Sequence, residues 1–301
     1  MKSGSGALLA ALVLVLAGCS SGATPILSGA PATTAPATTA PATTAPASIA
    51  PASIAPATGA PATAAPAGLT IYGAASLTSV LAKVKTAYEA ANPGTTLTIS
   101  TDSSAAIETK IEQGAPSDVF LSADTANPQK LVDKGLAAGG LTKFAGNLLT
   151  VIVPTGNPAG IQTPDDLAKG GVKVIAAGDT VPITKYASQL VANLAKQPGY
   201  PADFVAKYTA NIVSKQDNVS AVVTQIALGE GDAGIVYVTD AKTSTKVTAI
   251  AVPAEANVPA TYAGVVVKAS ANADAAQAFL TWLAGSDGQA ILASFGFLPA
   301  S

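Results

Sequence analysis

The chain has 301 residues and a net charge of −2, and its 16 basic residues are all lysines, so it contains neither arginine nor histidine. The missing histidine excludes Ser-His-Asp and Cys-His nucleophile systems and imidazole-ligated metal sites. The missing arginine excludes a bidentate guanidinium clamp for a carboxylate or phosphate, and the slightly negative charge gives no electrostatic basis for binding nucleic acid.

Residues 1–18 have the pattern of a secretory signal peptide, with Lys2 as their only charge and an apolar run too short to span a hydrocarbon core of ~30 Å comfortably. The four residues Leu16-Ala17-Gly18-Cys19 resemble a bacterial lipobox, in which the signal is removed and the cysteine becomes a lipidated N-terminus. The alternatives are an ordinary signal peptide with Cys19 incidental, or a long uncleaved anchor. We expect lipidation at Cys19, and since this is the only cysteine, no disulfide can form in the folded part.

Residues 19–67 are predicted to form a disordered tether. From about Ala30 the segment repeats Ala-Pro-Ala-Thr-Thr and its variants without any charge. Frequent prolines break helices, and such small side chains cannot offset the entropy lost on ordering. We therefore expect an extended spacer between the lipid anchor and a folded part that begins near Leu69.

The folded part alternates short β-rich runs with segments of helical periodicity. One such segment places apolar residues at Leu77, Val80, Leu81, Val84 and Tyr88. Alternation of this kind predicts an α/β fold with mostly parallel sheets, which bind ligands at the carboxyl ends of their strands. The predicted strands are Leu69–Gly73, Thr96–Ser100, Asp118–Leu121, Leu148–Val153, Val172–Ala176, Gly234–Val238, Thr248–Val252 and Ala263–Val267.

Small polar residues stand at several predicted strand-to-helix junctions, namely Ser76, Ser103-Ser104 and Asp217-Asn218, and Val181-Pro182 opens a further helix. Each polar junction taken alone is typical of a plain helix N-cap. Several together, in a chain without arginine or histidine, favour an anion site built from helix N-termini.

Longer motifs at these junctions resemble the molybdate-binding proteins of bacterial ABC transporters. The most specific is Gly114-Ala115-Pro116-Ser117-Asp118-Val119-Phe120-Leu121-Ser122-Ala123-Asp124. The others are Ala74-Ala75-Ser76-Leu77, Ser103-Ser104, Val181-Pro182 with Tyr186-Ala187, and Ala233-Gly234-Ile235-Val236-Tyr237 with Asp240. The resemblance covers essentially the whole folded part.

The resemblance implies a two-lobed fold of the periplasmic-binding-protein type, with the ligand cleft between the lobes and two hinge strands. It assigns residues 68–146 plus 262–301 to lobe 1 and residues 147–261 to lobe 2. The candidates for the hinge region are the strands Leu148–Val153 and Ala263–Val267. Two C-terminal helices, Ala273–Leu283 and Gln289–Phe295, are expected to pack back on lobe 1.

The resemblance also implies the ligand set. Ser76 and Ser104 would each offer a hydroxyl and a main-chain N–H, Ile183 and Val219 a main-chain N–H, and Tyr237 its phenol. The family usually has Val-Pro-Ala-Gly before Tyr-Ala, whereas this chain has Val181-Pro182-Ile183-Thr184-Lys185, so Thr184 stands where a glycine is usual.

The implied function is an extracytoplasmic protein that captures molybdate or tungstate and delivers it to an ABC transporter permease, as a monomer with no cofactor, catalytic residue or cation site. Donor-only sites disfavour hydrogen phosphate, and Asp102, Asp179 and Asp217 are expected to cap helices and face outwards, with Lys185 solvated. The alternatives are a receptor for sulfate or another tetrahedral oxyanion, an extracellular carboxylate-dependent hydrolase, or a structural surface lipoprotein.

Overall fold

The structure of the protein is a computed structural model that describes residues 67–300. These residues belong to the compact unit Gly59–Ser301. The predicted signal peptide, Cys19 and all of the predicted tether except Ala67 lie outside the described residues. Within residues 67–300, no helix is both long enough and apolar enough to cross a membrane.

Strands and helices alternate along the described chain. The strands are β1 (Gly68–Ala74), β2 (Thr96–Asp102), β3 (Val119–Ser122), β4 (Thr142–Asn147), β5 (Leu149–Pro154), β6 (Val174–Ala177), β7 (Ile212–Gln216), β8 (Gly234–Tyr237), β9 (Val247–Ile250) and β10 (Ala260–Val266). The α-helices are α1 (Thr78–Ala91), α2 (Ser104–Glu112), α3 (Ala126–Asp133), α4 (Pro182–Leu194), α5 (Phe204–Ala210), α6 (Val219–Leu228), α7 (Val238–Ala241), α8 (Ala273–Ala284) and α9 (Ser286–Ser294). Two 3-10 helices cover Ala75–Leu77 and Pro164–Ala168.

The large sheet has the strand order β2-β1-β3-β10-β4. Strand β1 runs parallel to β2 and β3, whereas β10 is antiparallel to β3 and β4. Leu69 and Ile71 alternate with more exposed residues along β1, and their side chains are buried in the core. Helices α8 and α9 both pack against β4, so the C-terminal helices return to the large sheet as predicted.

Two smaller sheets form the rest of the molecule, with the orders β8-β5-β9 and β6-β7. A parallel bridge between Val174 and Ala233 links them, and helices α4 and α6 pack on β6 and β8. Pair β6-β7 is parallel, but β5 is antiparallel to both β8 and β9. The prediction of mostly parallel sheets is therefore wrong. Strands β5 and β10 each follow a segment that contains no crossover helix, and each is antiparallel to both of its neighbours.

The chain passes between the large sheet and the smaller sheets twice, at Leu148 and along residues 251–259. The two passages lie side by side, since Asn147 pairs with Ala260. Asn257 joins them with two hydrogen bonds to Leu149, in which the Leu149 N–H donates to Oδ1 at 3.0 Å and Nδ2 donates to the Leu149 carbonyl at 2.9 Å.

The passages correct the hinge prediction. The candidate Leu148–Val153 begins at the first passage but otherwise belongs to β5. The candidate Ala263–Val267 lies almost entirely within β10 of the large sheet, and the second passage precedes it. Strands β4 and β7 were missing from the predicted set, because their partly polar sequences lack a clear apolar run.

We expect Asn257→Ala to lower the free energy of unfolding by about 1–3 kcal/mol, because it removes two hydrogen bonds and leaves the main-chain groups of Leu149 without these partners. Urea unfolding followed by circular dichroism measures the change. The exposed Gln189→Ala in α4 serves as the control. Equal stability of the two variants would contradict a role for Asn257 in joining the passages.

Candidate functional site

The carboxyl ends of six strands converge on one pocket between the large sheet and the smaller sheets. Strands β1, β2 and β3 lead into it from one side, and β6, β7 and β8 lead into it from the other. The residues that line it are Ala74, Ala75, Ser76, Ser103, Ser104, Ala123, Val181, Pro182, Ile183, Asn218, Val219 and Tyr237. This is the position at which sheets of this kind bind ligands.

All five residues singled out from the sequence line this pocket. Ser76 and Ser104 come from the side of the large sheet, and Ile183, Val219 and Tyr237 come from the smaller sheets. Sequence reasoning did not place Asn218, Ser103 or Ala123 among the contact residues. Each of the three nevertheless lies within a motif that carried the resemblance or beside a predicted ligand residue, so adjacency was the available signal.

Three helices of nine or more residues begin at the pocket, namely α2, α4 and α6. The N–H groups in the first turn of a helix have no partner within the helix and carry its positive dipole end. Neither Ser103 nor Val181 satisfies these groups with its side chain at the starts of α2 and α4. At α6, Asn218 Oδ1 accepts from the N–H of Ala221 at 3.0 Å, which leaves the N–H of Val219 without that cap.

Both serine hydroxyls are buried, and each has a hydrogen-bonding neighbour within the protein. The N–H of Ala123 donates to Ser104 Oγ at 3.1 Å. Ser76 Oγ lies 2.9 Å from the hydroxyl of Tyr262, a fully buried residue that does not line the pocket. The bond from Ala123 uses a lone pair of Ser104 Oγ and not its hydrogen, so that hydrogen is available to a ligand.

The phenol of Tyr237 is a buried donor without an acceptor. Its side chain is 1% exposed, and its hydroxyl has no hydrogen-bond partner among the described residues. Burial raises the pKa of Tyr237 well above 10, so the group remains a protonated O–H at neutral pH. An unmet buried donor costs roughly 1–3 kcal/mol, so this hydroxyl favours an acceptor bound in the pocket.

The pocket is uncharged, since no residue of its described lining is ionisable except the neutral phenol of Tyr237. Asp102, Asp179 and Asp217 all lie outside the lining, as predicted. Asp102 pairs with Lys110 at 2.8 Å and Asp179 pairs with Lys215 at 2.6 Å. The expectation that they cap helices is wrong for all three, because the residues at the N-caps of α2, α4 and α6 are Ser103, Val181 and Asn218.

The loop that departs from the family pattern is tied down by its own threonine. Thr184 Oγ1 donates to the carbonyl of Gly178 at 2.8 Å and lies 3.1 Å from the carbonyl of Ala177. These bonds fix the first turn of α4 to the end of β6 and hold Ile183 at the pocket. Lys185 is exposed and does not line the pocket, as predicted.

The central space of the pocket is small, with a cavity volume of about 10 Å³, on the order of one water-sized sphere. Beside it lies a cavity of about 590 Å³ that shares Ser103 and Val181 with the pocket and contains Glu108, Lys130 and Asp217 in its wall. The lining residues must therefore move apart before they can enclose an ion larger than a water molecule.

Asp240 is a buried carboxyl group directly behind the pocket. It is 2% exposed, and its Oδ2 accepts from the N–H of Tyr237 at 3.3 Å. Burial raises the pKa of Asp240 from 3.8 to about 7. In the folded chain this group therefore holds its proton between about pH 4 and 7, a range in which the unfolded chain has lost it.

We expect the stability of the protein to fall as pH rises from 4 to 7, because the folded chain binds the proton of Asp240 more tightly than the unfolded chain does. Each unit of pKa difference corresponds to about 1.4 kcal/mol. Asp240→Asn should remove most of this decline in urea unfolding measured from pH 4.5 to 8. The exposed Glu230→Gln should keep the decline, and an unchanged profile in Asp240→Asn would refute the assignment.

Comparison with known proteins adds to this geometry. The family model described as bacterial extracellular solute-binding protein matches residues 69–298. The molybdate-binding protein ModA of Mycobacterium tuberculosis is 31% identical over 230 residues, which cover 76% of this chain and 84% of the relative.

Solved structures agree on the fold. The substrate-binding domain of a candidate molybdenum ABC transporter from Clostridium difficile has a TM-score of 0.59 and 28% identity, covering 78% of this chain and 99% of that one. The sulfate-binding protein SubI of M. tuberculosis has a TM-score of 0.69 and 23% identity, covering 77% and 86%. At that identity the second likeness shows the fold alone, the two-lobed fold of periplasmic binding proteins.

Proposed function

The chain belongs to the family of bacterial extracellular solute-binding proteins, and on that premise we propose that it captures molybdate, or the similar tungstate, and delivers it to an ABC transporter permease. Relatives named as molybdate-binding proteins support the ligand. In this role the protein would bind its ligand without catalytic residues or a cofactor.

The unpartnered hydroxyl of Tyr237 is the observation that carries this proposal. A tetrahedral dianion needs donors in place of its lost hydration shell, because an unpaired buried charge costs many kcal/mol. Ser76 and Ser104 would each offer a hydroxyl and an N–H, and Ile183 and Val219 an N–H. Bonds to a charged group contribute roughly 1.5–3 kcal/mol each, enough to offset association costs of about 4–15 kcal/mol.

The donors come from both lobes, which couples binding to closure. We assign residues 68–146 plus 262–301 to lobe 1 and residues 147–261 to lobe 2. The separation of the large sheet from the smaller sheets supports this division except at its edges, where Asn147, Ala260 and Thr261 belong to strands of the large sheet. A ligand that bonds to both lobes stabilises the closed arrangement over an open one. Because the described cavity is small, the lobes would separate to admit the anion and close around it.

We further propose that the protein is held at the outer face of the cell membrane by a lipid on Cys19. The signal peptide would be residues 1–18, and residues 19–67 would tether the binding domain. The absence of charge in the tether and its high proline content support a spacer of this kind. The domain would act as a monomer that presents its loaded cleft to the permease.

Loss of one donor should weaken molybdate binding without unfolding the chain. We expect Ser76→Ala and Ser104→Ala each to raise the dissociation constant by about 10- to 150-fold, which corresponds to roughly 1.5–3 kcal/mol. Isothermal titration calorimetry measures the change, and the exposed Ser79→Ala in α1 is the control. A structural surface lipoprotein would be indifferent to both substitutions.

Tyr237→Phe provides a separate test, because its effects on affinity and stability should have opposite signs. Removal of the unpartnered hydroxyl should leave the ligand-free chain as stable as the wild type or up to about 1–3 kcal/mol more stable. Molybdate affinity should nevertheless fall about 10-fold or more. Thermal unfolding with and without ligand measures both, and unchanged affinity would contradict the role of Tyr237.

Sulfate is the alternative ligand, because a pocket of neutral donors suits any fully deprotonated tetrahedral anion. Calorimetry with molybdate, tungstate, sulfate and hydrogen phosphate on the same protein ranks the four. We expect molybdate and tungstate to bind tightest and hydrogen phosphate weakest. No heat with molybdate at micromolar concentration, combined with tight sulfate binding, would transfer the assignment to sulfate.

For the anchor, we expect Cys19→Ser to move the protein from the membrane fraction to the soluble fraction or culture medium. The reason is that thioether lipidation requires the thiol, which a serine hydroxyl does not replace. Fractionation and immunoblotting of the full-length chain measure the distribution. Unchanged membrane association in the variant would contradict lipidation at Cys19.

A further inference from the structure

A chain of three buried polar side chains leads from the first passage between the sheets to the pocket. Asn147 Nδ2 donates to the hydroxyl oxygen of Tyr262 at 3.4 Å, and this hydroxyl lies 2.9 Å from Ser76 Oγ. Asn147 and Tyr262 are 1% and 0% exposed, and neither lines the pocket. The two residues therefore stand behind Ser76, and the hydroxyl of Tyr262 meets the lining at Ser76 while its ring packs against Tyr237.

The amide of Asn147 has one possible orientation. Its Oδ1 accepts from the N–H of Leu148 at 3.0 Å, so the oxygen is on that side. Its Nδ2 carries two hydrogens, of which one goes to Thr239 Oγ1 at 2.8 Å and the other to Tyr262. An amide nitrogen can only donate, so the oxygen of Tyr262 must accept this bond.

The direction of the next bond follows. The phenol of Tyr262 is fully buried and needs an acceptor for its own hydrogen, and Ser76 Oγ lies within 2.9 Å. If Tyr262 donates, Ser76 Oγ accepts, and the hydrogen of Ser76 is left to point into the pocket. The hydrogen of Ser104 is likewise left for the pocket, because Ser104 Oγ accepts from the N–H of Ala123.

We propose that Tyr262, oriented by Asn147, is a positioning residue that makes the hydroxyl of Ser76 a donor and thereby favours fully deprotonated oxyanions over hydrogen phosphate. This inference rests on the proposed function and adds its selectivity. With Tyr262 in place, one of the two lone pairs of Ser76 Oγ is occupied and its hydrogen cannot point at Tyr262, so fewer arrangements present a lone pair to the proton of hydrogen phosphate. Without the phenol hydroxyl, Ser76 can rotate and either donate or accept.

Tyr262→Phe tests the relay, because it keeps the ring that packs against Phe144, Tyr237 and Phe297. Binding of molybdate and of hydrogen phosphate is measured by calorimetry at pH 8 for the wild type, Tyr262→Phe, Ser76→Ala and the double variant. We expect Tyr262→Phe to weaken molybdate about 3- to 10-fold and to narrow its preference over hydrogen phosphate by a similar factor.

The double variant separates a relay from a general structural effect. Since Tyr262 acts through Ser76, Tyr262→Phe should change neither affinity further once Ser76 is alanine. Tyr88→Phe is the matched control, because it removes a hydroxyl from a buried tyrosine that packs against Phe279 and Trp282 away from the pocket. It should leave both affinities unchanged.

Asn147→Ala gives a second route to the same result, since it removes the donor that orients Tyr262. Asn147→Ala should also narrow the preference for molybdate over hydrogen phosphate, and it should do so only when Ser76 is present. The relay is overturned if Tyr262→Phe keeps the wild-type affinities, or if its effect is undiminished in the Ser76→Ala background, while the wild type binds molybdate. Failure of the wild type to bind any of these oxyanions would overturn the proposed function as well.

Discussion

A site that holds an anion without a cation depends on hydrogen-bond donors that are already in place. This chain has no arginine or histidine, and the described lining of its pocket contains no lysine. Each contact to a ligand must then come from a hydroxyl, a main-chain N–H or the side-chain amide of Asn218. At a helix N-terminus, several main-chain N–H groups lack intrahelical partners and point the same way. The fold therefore has to bring several helix N-termini to one place.

The arrangement of the strands meets this requirement. Strands β1 to β3 and β6 to β8 all end at the pocket. For this reason helices α2, α4 and α6, which follow β2, β6 and β7, begin there. The antiparallel strands β5 and β10 flank the two passages, and they leave this convergence undisturbed. Asn257 joins the passages through two hydrogen bonds to Leu149.

Burial is what orients the hydroxyls of the site. In water a serine rotates freely between donating and accepting, whereas Ser104 is constrained by the N–H of Ala123 and Ser76 by Tyr262. Tyr237 has no such partner and remains an unmet donor. The same burial also raises the pKa of Asp240, directly behind the pocket, to about 7.

The sequence by itself determined the α/β class, most strand positions and, through the resemblance, the five residues that the structure brings together at the pocket. Local motifs sufficed because strand-to-helix junctions are encoded by neighbouring residues. The sequence did not determine the antiparallel pairing of β5, the passage along residues 251–259, or the contact of Tyr262 with Ser76. Those depend on residues as far apart as 186 positions, which only tertiary packing brings within hydrogen-bond distance.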